Sequence, residues 1–468
     1  MLLYLCSSAF ADDLLDAMDD VLPPGSVALL SARLLDGTGS PPREGVSILL
    51  VDGRIAAISD EPLAAETVVA LDGATVIPGL IDSHTHVTIA PGQALDGVEA
   101  SEAWLQAQLR AYVAAGVTTV VDAVAYEHDL ARVQSWADEM GPRILALGLP
   151  PSLPGSYGPA VLPGLPTQTT PEEVEHHVAE QAGRDVVGLK VLFEDGPLQP
   201  IWPLPSGPWL DAVVATADEH ELALWAHAMS VEEYEAALDA GVDVILHGLD
   251  TPDPATVARV AASGVYVVPT LNIGTGADLM YQPELAADAF LQALVPVEQL
   301  ANALDAELQL ASGLAVMEVA APGVPRWIGP WLVRRMSSND RYARKLQAER
   351  VAAVTAMVEA GVPLVMGSDA PGWPVLLGLF HRYGSVRELE LLAEAGLPLD
   401  EVLVAATSRP AEMLGLSGEI GSVVVGAVAD LVVLEGDPSS DIGAYRQVRY
   451  VVRGGELRAP EAWLAPHP

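Results

Sequence analysis

The sequence predicts an α/β fold: a (β/α)8 TIM barrel inserted into a small β-sandwich that the N- and C-terminal segments form together. Apolar, strand-like segments alternate with helical stretches between residues 76 and 415. Short β segments precede and follow this region, and polar side chains end several of the predicted strands within it. Alternating strands and helices are typical of a parallel sheet, and eight such units favour a closed barrel.

The two ends of the chain carry the pattern of short strands separated by turns. Apolar segments lie at 27–30 and 45–51, and Asp52-Gly53 is a hairpin signal. The same pattern returns at 421–425 and 429–434 and ends near residue 457. We therefore predict that residues 26–75 and 416–460 form one composite β domain, with the barrel, residues 76–415, inserted into it.

The barrel region contains eight apolar segments that we interpret as its strands. Two helix starts between them are marked by Thr170, which precedes a proline and two glutamates, and by Ser230, which begins a capping box. The stretch 273–361 between the last two strands is rich in helix formers and long enough to form a lid or an interface. The predicted strands are 76–83, 117–123, 143–148, 186–193, 221–227, 242–247, 265–271 and 362–368.

The charge balance excludes one class of partner. The chain has 63 acidic and 23 basic residues, a net charge of -40, which repels nucleic acids and other polyanions. Cys6 is the only cysteine, so a metal site must be built from His, Asp, Glu or a rarer ligand. We expect a small-molecule substrate, no nucleic acid partner and no membrane span, and the sequence leaves a homo-oligomer open.

The first eleven residues resemble part of an export signal. Residues 1–11 are apolar and end in Ala9-Phe10-Ala11, a small-residue pattern that suits signal peptidase, although no Lys or Arg precedes them. The segment 1–11 is therefore interpreted as a signal-peptide remnant, which favours a periplasmic or secreted location over the cytoplasm.

Polar residues that end apolar strands point to one chemical site. His84 and His86 end strand one with their side chains on the same face, and His227, His247 and Asp369 end strands five, six and eight. Each of these alone could be a buried structural residue or a helix cap. Together they would lie at the carboxyl ends of the strands, where barrel enzymes keep their active sites.

Lys190 is one of only two lysines in the chain and lies within the apolar strand 186–193. Its ammonium could reach the surface, or it would be costly to bury. A lysine that reacts with carbon dioxide becomes an anionic carbamate, which can bridge two cations. That reaction would explain why a lysine is kept inside a strand.

On these motifs the chain resembles the amidohydrolase superfamily, more narrowly its imidazolonepropionase-like and Xaa-Pro-dipeptidase-like members. The resemblance begins at residues 76–86, with Pro78-Gly79 before His84 and His86, and includes the return to β structure at 418–437. It implies that His84, His86 and Asp369 bind one divalent ion, that His227 and His247 bind a second, and that carboxylated Lys190 bridges them. Zinc is the ion that such ligands favour.

The resemblance implies hydrolysis of an amide or cyclic amide bond, with a dipeptide or an N-acyl amino acid as examples of the substrate. Metal-activated water would attack the carbonyl, and Asp369 would move its proton to the leaving amine. Ala228-Met229 after His227 offers no hydroxyl or charge for a substrate carboxylate, which weakens the dipeptide interpretation. Trp202, Trp209 and Trp373, on predicted rim loops, could instead line an apolar pocket.

Two other functions compete with this interpretation. A mononuclear aminohydrolase of the deaminase kind would use the same barrel, but those relatives place a glutamate three residues after the strand-five histidine, where this chain has Ser230. A catalytically silent barrel acting as a binding protein would be free to lose a ligand, whereas this chain keeps all six.

Overall fold

The computed structural model describes residues 25–88, 102–162, 164–196, 201–276, 278–321, 323–337, 340–372 and 376–465. The predicted signal-peptide remnant, residues 1–11, and Trp373 lie outside this range, so export remains a prediction. No helix within the described ranges is both long enough and apolar enough to cross a membrane.

The two ends of the chain form one eight-stranded, mostly antiparallel sheet. At its centre, the strand Thr75–Pro78 pairs in antiparallel with the strand Leu431–Leu434, and Ile77 faces Val432. The segments before and after the barrel are therefore hydrogen-bonded to each other. Its strands are β1 Val27–Leu34, β2 Arg43–Val51, β3 Arg54–Ser59, β4 Thr67–Ala70, β5 Thr75–Pro78, β13 Leu431–Leu434, β14 Val448–Arg453 and β15 Glu456–Arg458.

A second sheet of seven parallel strands in sequence order forms the barrel wall. Every residue of its first two strands is buried, as expected for strands that helices cover outside and side chains fill inside. The predicted α/β barrel with a β unit from both termini is therefore confirmed. The strands are β6 Leu80–Thr85, β7 Val117–Asp122, β8 Arg143–Gly148, β9 Gly188–Leu192, β10 Leu224–His227, β11 Val244–Leu246 and β12 Tyr266–Val268.

The predicted eighth strand closes the barrel without forming a regular ladder. Leu364 bridges Val267 of β12, and Ala370 bridges Thr85 of β6, both in parallel. Between these bridges the amide of Met366 donates to the carbonyl of Ala405, outside the sheet. The regular ladder is interrupted at this amide, although further backbone hydrogen bonds join the segment 362–370 to both neighbouring strands.

The predicted first strand, 76–83, is two strands that belong to different sheets. β5 ends at Pro78, β6 begins at Leu80, and the amide of Gly79 between them donates to the carbonyl of Asp430 at 2.8 Å. A side chain at position 79 would place its Cβ 2.0 Å from Thr118 Oγ1 of β7. Close backbone packing at the junction of the two sheets therefore requires glycine.

Helices cover the barrel, and both sequence-predicted helix starts are confirmed. Thr170 and Ser230 each accept the amide of the glutamate three residues later, whose carboxylate accepts the amide of the cap in return. The described part of the 273–361 stretch is helical. The α-helices are Glu102–Ala114, Glu127–Met140, Tyr157–Val161, Pro171–Ala182, Gly207–Glu219, Val231–Asp239, Pro254–Ser263, Asp278–Tyr281, Ala289–Leu294, Val297–Leu304, Ala306–Ala320, Gly329–Ser337, Asp340–Glu359, Tyr383–Glu394, Leu399–Ala405, Ser408–Met413 and Pro460–Leu464, and 3-10 helices span Leu271–Thr275, Pro283–Ala287 and Ile442–Arg446.

Replacing Gly79 by alanine should lower the free energy of unfolding by about 1–3 kcal/mol, because the added methyl group overlaps Thr118 and the junction must shift. Urea denaturation followed by circular dichroism measures the change. Gly183→Ala is the control, since a Cβ there meets its nearest atoms at 3.5 Å, an ordinary contact. Equal stability of the two variants would contradict the assigned role of Gly79.

Candidate metal centre

Three of the predicted ligands converge at the carboxyl end of the first strand. Nε2 of His84 lies 3.1 Å from Oδ1 of Asp369, and Nε2 of His86 lies 3.0 Å from the same oxygen. One ligand atom from each residue falls within 4.8 Å of the others, which is the spacing of a set that holds one ion. The structure therefore brings together His84, His86 and Asp369 from opposite ends of the barrel sequence.

The charge state of this group suits a cation. Burial lowers the pKa of His84 to about 3, so its ring is neutral and offers a lone pair. Burial alone would raise the pKa of Asp369, but His84 and His86 beside it outweigh that effect and hold its pKa well below the usual range. Among the described residues, neither ring nitrogen of His84 has a hydrogen-bond partner of acceptable geometry. Buried, unsatisfied nitrogens beside a carboxylate fit a metal ion.

His227 and His247 form a second group directly beside the first. Nδ1 of His227 lies 2.9 Å from Nε2 of His247, and the ring centres of His247 and His84 are 5.0 Å apart. Burial and the neighbouring charge of His227 hold the pKa of His247 well below its ordinary value. Two adjoining imidazoles that present nitrogens to each other are also suited to share a cation.

Lys190 lies in the middle of β9 and is buried, with only 4% of its surface exposed. Burial lowers the pKa of its ammonium to about 8, although the charges of Asp369 and Asp122 act in the opposite direction. Its positive charge is one of the causes that lower the pKa of both His84 and His247. The lysine is therefore within electrostatic reach of both groups, as a bridging residue must be.

Residues other than the six predicted ligands form hydrogen bonds with the imidazoles of His227 and His247. Nε2 of His227 lies 3.2 Å from a carboxylate oxygen of Glu194, and Nδ1 of His247 lies 2.8 Å from the hydroxyl of Thr270. The ring of Tyr157 lies against His227 at a centre-to-centre distance of 5.1 Å and also contacts Trp202. Tyr157 and Trp202 thus form an aromatic wall on this side of the site.

Asp82 connects the first strand to the segment that carries Asp369. Its carboxylate accepts hydrogen bonds from the amide and hydroxyl of Ser368, at 2.9 and 2.7 Å, and from the hydroxyl of Ser385 at 2.6 Å. It also accepts the amide of His84 at 3.3 Å. Burial raises the pKa of Asp82 to about 6, while these donors favour its charged form.

The backbone is left-handed at three positions around the site. The φ angles are 76° at His247, 46° at Thr270 and 54° at Asp369. Such conformations cost about 1–3 kcal/mol each for residues other than glycine and cluster at functional sites. His247 follows β11, Thr270 lies two residues after β12, and Asp369 directly precedes the bridge at Ala370.

A buried carboxyl group supports the turn that follows Thr270. Glu388, on helix Tyr383–Glu394, accepts the amides of Leu271 at 3.0 Å and Asn272 at 2.7 Å. Burial raises the pKa of Glu388 to about 8. This carboxyl group therefore accepts hydrogen bonds from the first two amides of the 3-10 helix Leu271–Thr275, which follows β12.

Five of the six predicted residues lie at the carboxyl ends of their strands and Lys190 lies within β9, but the sequence interpretation missed several of their neighbours. Thr270 could have been found, because it lies near the end of the predicted seventh strand, 265–271, as His247 lies at the end of the sixth, 242–247. Glu194 follows β9 in the same way. Tyr157 carried no signal, since it lies on a short helix in a loop. Trp209 is a correction: it is buried in helix Gly207–Glu219 and its indole donates to the carbonyl of Gln168, so it packs structurally.

A parallel barrel whose strand ends bring histidines and an aspartate together defines the class of metal-dependent barrel hydrolases. The chain belongs to the amidohydrolase family, whose model matches residues 75–458. Members of this family are generally metal-dependent, which agrees with the ligand geometry of His84, His86 and Asp369.

Individual relatives support the same assignment. An uncharacterized protein of Mycobacterium tuberculosis is 27% identical over 457 residues, covering 95% of this chain and 99% of that protein. An imidazolonepropionase of Syntrophobacter fumaroxidans is 26% identical over 254 residues, 52% of this chain and 57% of the enzyme. The crystal structure of a Xaa-Pro dipeptidase with bound methionine has the same fold, with a TM-score of 0.69 at 21% identity over 92% of this chain and 99% of that one.

The buried carboxyl of Glu388 gives stability a defined pH dependence. The folded protein keeps this proton to about pH 8, whereas an unfolded glutamate loses it near 4.5, so the folded state binds more protons between these values. The free energy of unfolding should therefore fall as pH rises through this window, by up to about 1.4 kcal/mol per unit.

Glu388→Gln should remove this contribution, so the variant gains stability relative to the wild type between pH 5 and pH 8. Urea denaturation at several pH values measures the difference. Glu394→Gln on the same helix is the control, because its exposed carboxylate pairs with Arg387. Parallel pH profiles for the wild type and Glu388→Gln would show that residue 388 does not titrate in this range.

Proposed function

We propose that this chain hydrolyses an amide or cyclic amide bond with a binuclear metal centre. The observation that carries the proposal is the presence of two adjoining ligand groups with a buried lysine within electrostatic reach of both. His84, His86 and Asp369 would hold one ion, His227 and His247 the other, and Lys190, as a carbamate, would bridge them. Zinc is the ion that fits this ligand set, and manganese or cobalt could replace it.

The chemistry divides between the ions and the chain. Bound ions supply a water of lowered pKa and polarise the scissile carbonyl. Asp369 is the only carboxylate in the first ligand group, and its depressed pKa keeps it ionised and able to accept a proton. It then carries this proton to the leaving amine, as a general base that becomes a general acid.

Lys190 is suited to carbamate formation because the neutral amine is the form that attacks carbon dioxide. Burial lowers its pKa to about 8, which increases the neutral fraction near physiological pH. The amine nitrogen would add to the carbon of carbon dioxide and lose one proton to solvent, so that a carboxylate would replace the ammonium at a position that two cations could share. Burial destabilises the ammonium form of Lys190, so the carbamate form is favoured once ions are bound.

The substrate class follows from the surroundings of the second group. Tyr157 and Trp202 present aromatic surface beside His227, and Ala228 and Met229 give no charge to bind a carboxylate. The net charge of -40 disfavours highly anionic substrates. We propose neutral or apolar amides, including cyclic amides; the imidazolonepropionase relative supports this choice.

The mononuclear alternative is less consistent with the structure. Ser230, at the position where deaminase-like relatives place a glutamate, caps helix Val231–Asp239 by accepting the amide of Glu233 at 3.3 Å. Its side chain therefore has a structural role in starting that helix. A silent binding barrel would likewise have no need to keep Lys190 buried beside two groups of ligands.

Lys190→Ala tests the bridge. We expect loss of most activity and a fall in metal content from about two ions per chain, measured by elemental analysis. Small carboxylic acids should restore part of the activity by occupying the vacated bridge. The other lysine offers a matched control: Lys345→Ala removes an exposed side chain paired with Glu349 and should retain both metal ions and activity. Two ions and normal turnover in Lys190→Ala would reject the bridging role.

A substrate panel tests the reaction class. Uncharged amides, lactams and lactones should be hydrolysed faster than matched anionic compounds, and added sodium chloride should reduce this preference because it screens the field of the protein. Initial rates on matched pairs at low and high salt measure both effects. Turnover of phosphate esters about a hundredfold faster than any amide, lactam or lactone would show that the reaction class is wrong.

A further inference from the structure

The contact between Glu194 and His227 fixes which nitrogen of the imidazole carries the proton. Carboxylate oxygens accept hydrogen bonds from imidazole N–H groups, so we assign the proton to Nε2 of His227, which lies 3.2 Å from Glu194. Nδ1 is then left with a lone pair, and this is the atom that faces His247 at 2.9 Å. Glu194 thus selects the tautomer of His227 whose free nitrogen points into the site.

Glu194 is itself held in place. Its other carboxylate oxygen accepts the amide of Gly196 at 2.9 Å, and its side chain is 9% exposed. The next residue, Asp195, has its amide bound to Glu233 at 3.0 Å, which restrains the backbone after β9. The carboxylate that orients His227 is therefore fixed on both sides.

Thr270 makes the corresponding contact with His247. Its hydroxyl lies 2.8 Å from Nδ1 of that ring, and a hydroxyl can either donate or accept. The residue has a φ of 46°, a conformation that is unfavourable for a β-branched side chain. A strained threonine whose hydroxyl contacts a predicted ligand, on a turn held by Glu388, has a role beyond packing.

We propose that Glu194 and Thr270 are positioning residues for the second metal ion, Glu194 through His227 and Thr270 through His247. This inference rests on the proposed binuclear function. Neither residue needs to touch the ion or the substrate. Each binds the ring nitrogen that does not face the other imidazole, so that Nδ1 of His227 and Nε2 of His247 are left to share a cation.

The two residues act differently when an ion binds. Without an ion, His227 Nδ1 has a lone pair, so His247 Nε2 donates to it and the hydroxyl of Thr270 donates to His247 Nδ1. With an ion, both facing nitrogens need lone pairs, so the proton of His247 resides on Nδ1 and Thr270 accepts it. Thr270 can serve both states because its hydroxyl reverses its role, whereas Glu194 keeps His227 in one tautomer throughout.

Glu194→Gln and Glu194→Ala test the first half of the proposal. Titration of the chelator-treated full chain with Co²⁺, followed by visible absorption and calorimetry, measures the affinity of each ion without a substrate. The affinity for the second ion should fall about tenfold in Glu194→Gln and up to about a hundredfold in Glu194→Ala, with the first unchanged. Asp195→Asn, the adjacent carboxylate, is the matched control and should bind both ions as the wild type does.

Thr270→Ser and Thr270→Val test the second half. Serine keeps the hydroxyl and should preserve affinity for the second ion, whereas valine keeps the shape without the hydroxyl and should weaken it about tenfold. The thermal unfolding temperature of each variant shows whether weaker ion binding comes from a misplaced His247 or from a destabilised fold. Equal weakening in both variants, or normal affinity in Thr270→Val, would show that the hydroxyl does not position His247.

Nitrogen NMR of the ion-free protein gives a readout that is independent of metal binding. The wild type should show His227 protonated on Nε2, and Glu194→Ala should show a mixture of tautomers. If the wild type bound only one ion, the binuclear proposal would be wrong. The tautomer of His227 would still show whether Glu194 orients this imidazole. An unchanged tautomer in Glu194→Ala, or a second-ion affinity equal to that of the wild type, would overturn the role of Glu194.

Discussion

The carboxylate of Asp82 is the interaction on which the closure of the barrel depends. The segment 362–370 is joined to its neighbouring strands by isolated bridges, so a regular ladder does not hold it. The amide of Asp369 donates to the carbonyl of His84 at 2.7 Å, and Asp82 reinforces this link by accepting the amide and hydroxyl of Ser368 and the amide of His84 on its own strand. This buried group therefore helps to set the distance between His84 and Asp369, which are almost three hundred positions apart in the chain. Its burial is unfavourable for a charge, and the surrounding donors offset that cost.

The terminal sheet provides the stability that the centre itself lacks. Around the site, left-handed backbone at His247, Thr270 and Asp369 and buried imidazoles with unsatisfied nitrogens all oppose folding. At the opposite end of β6, the chain enters from β5, which pairs with β13, so the strands that enter and leave the barrel are held in one apolar sheet. Strain at the carboxyl end is thus supported by regular pairing at the amino end, as expected where function opposes stability.

The sequence predicted the parts of the molecule that local rules determine. Alternation placed His84 and His86 on one strand face, and the position after an apolar strand identified His227, His247 and Asp369, because strand ends in a barrel share one rim. The helix starts at Thr170 and Ser230 followed from hydrogen bonds within four residues. The division at Gly79 and the irregular eighth strand could not be predicted, because they depend on Thr118, Asp430 and Ala405, which are distant in sequence. The contact of Tyr157 with His227 depends on loop conformation and was missed for the same reason.

In the proposed centre, the distribution of charge distinguishes the two ligand groups and would account for a buried lysine within electrostatic reach of both. The first group already contains a carboxylate, Asp369, whereas the second consists of the imidazoles of His227 and His247. A divalent cation in the second group would therefore be balanced only by charges nearby, of which Glu194 is in hydrogen-bond contact with His227. An ammonium at Lys190 would repel that cation, while a carbamate would attract both ions and shield them from each other. In a chain with only two lysines, this electrostatic requirement of the proposed centre would account for the burial of Lys190 within β9.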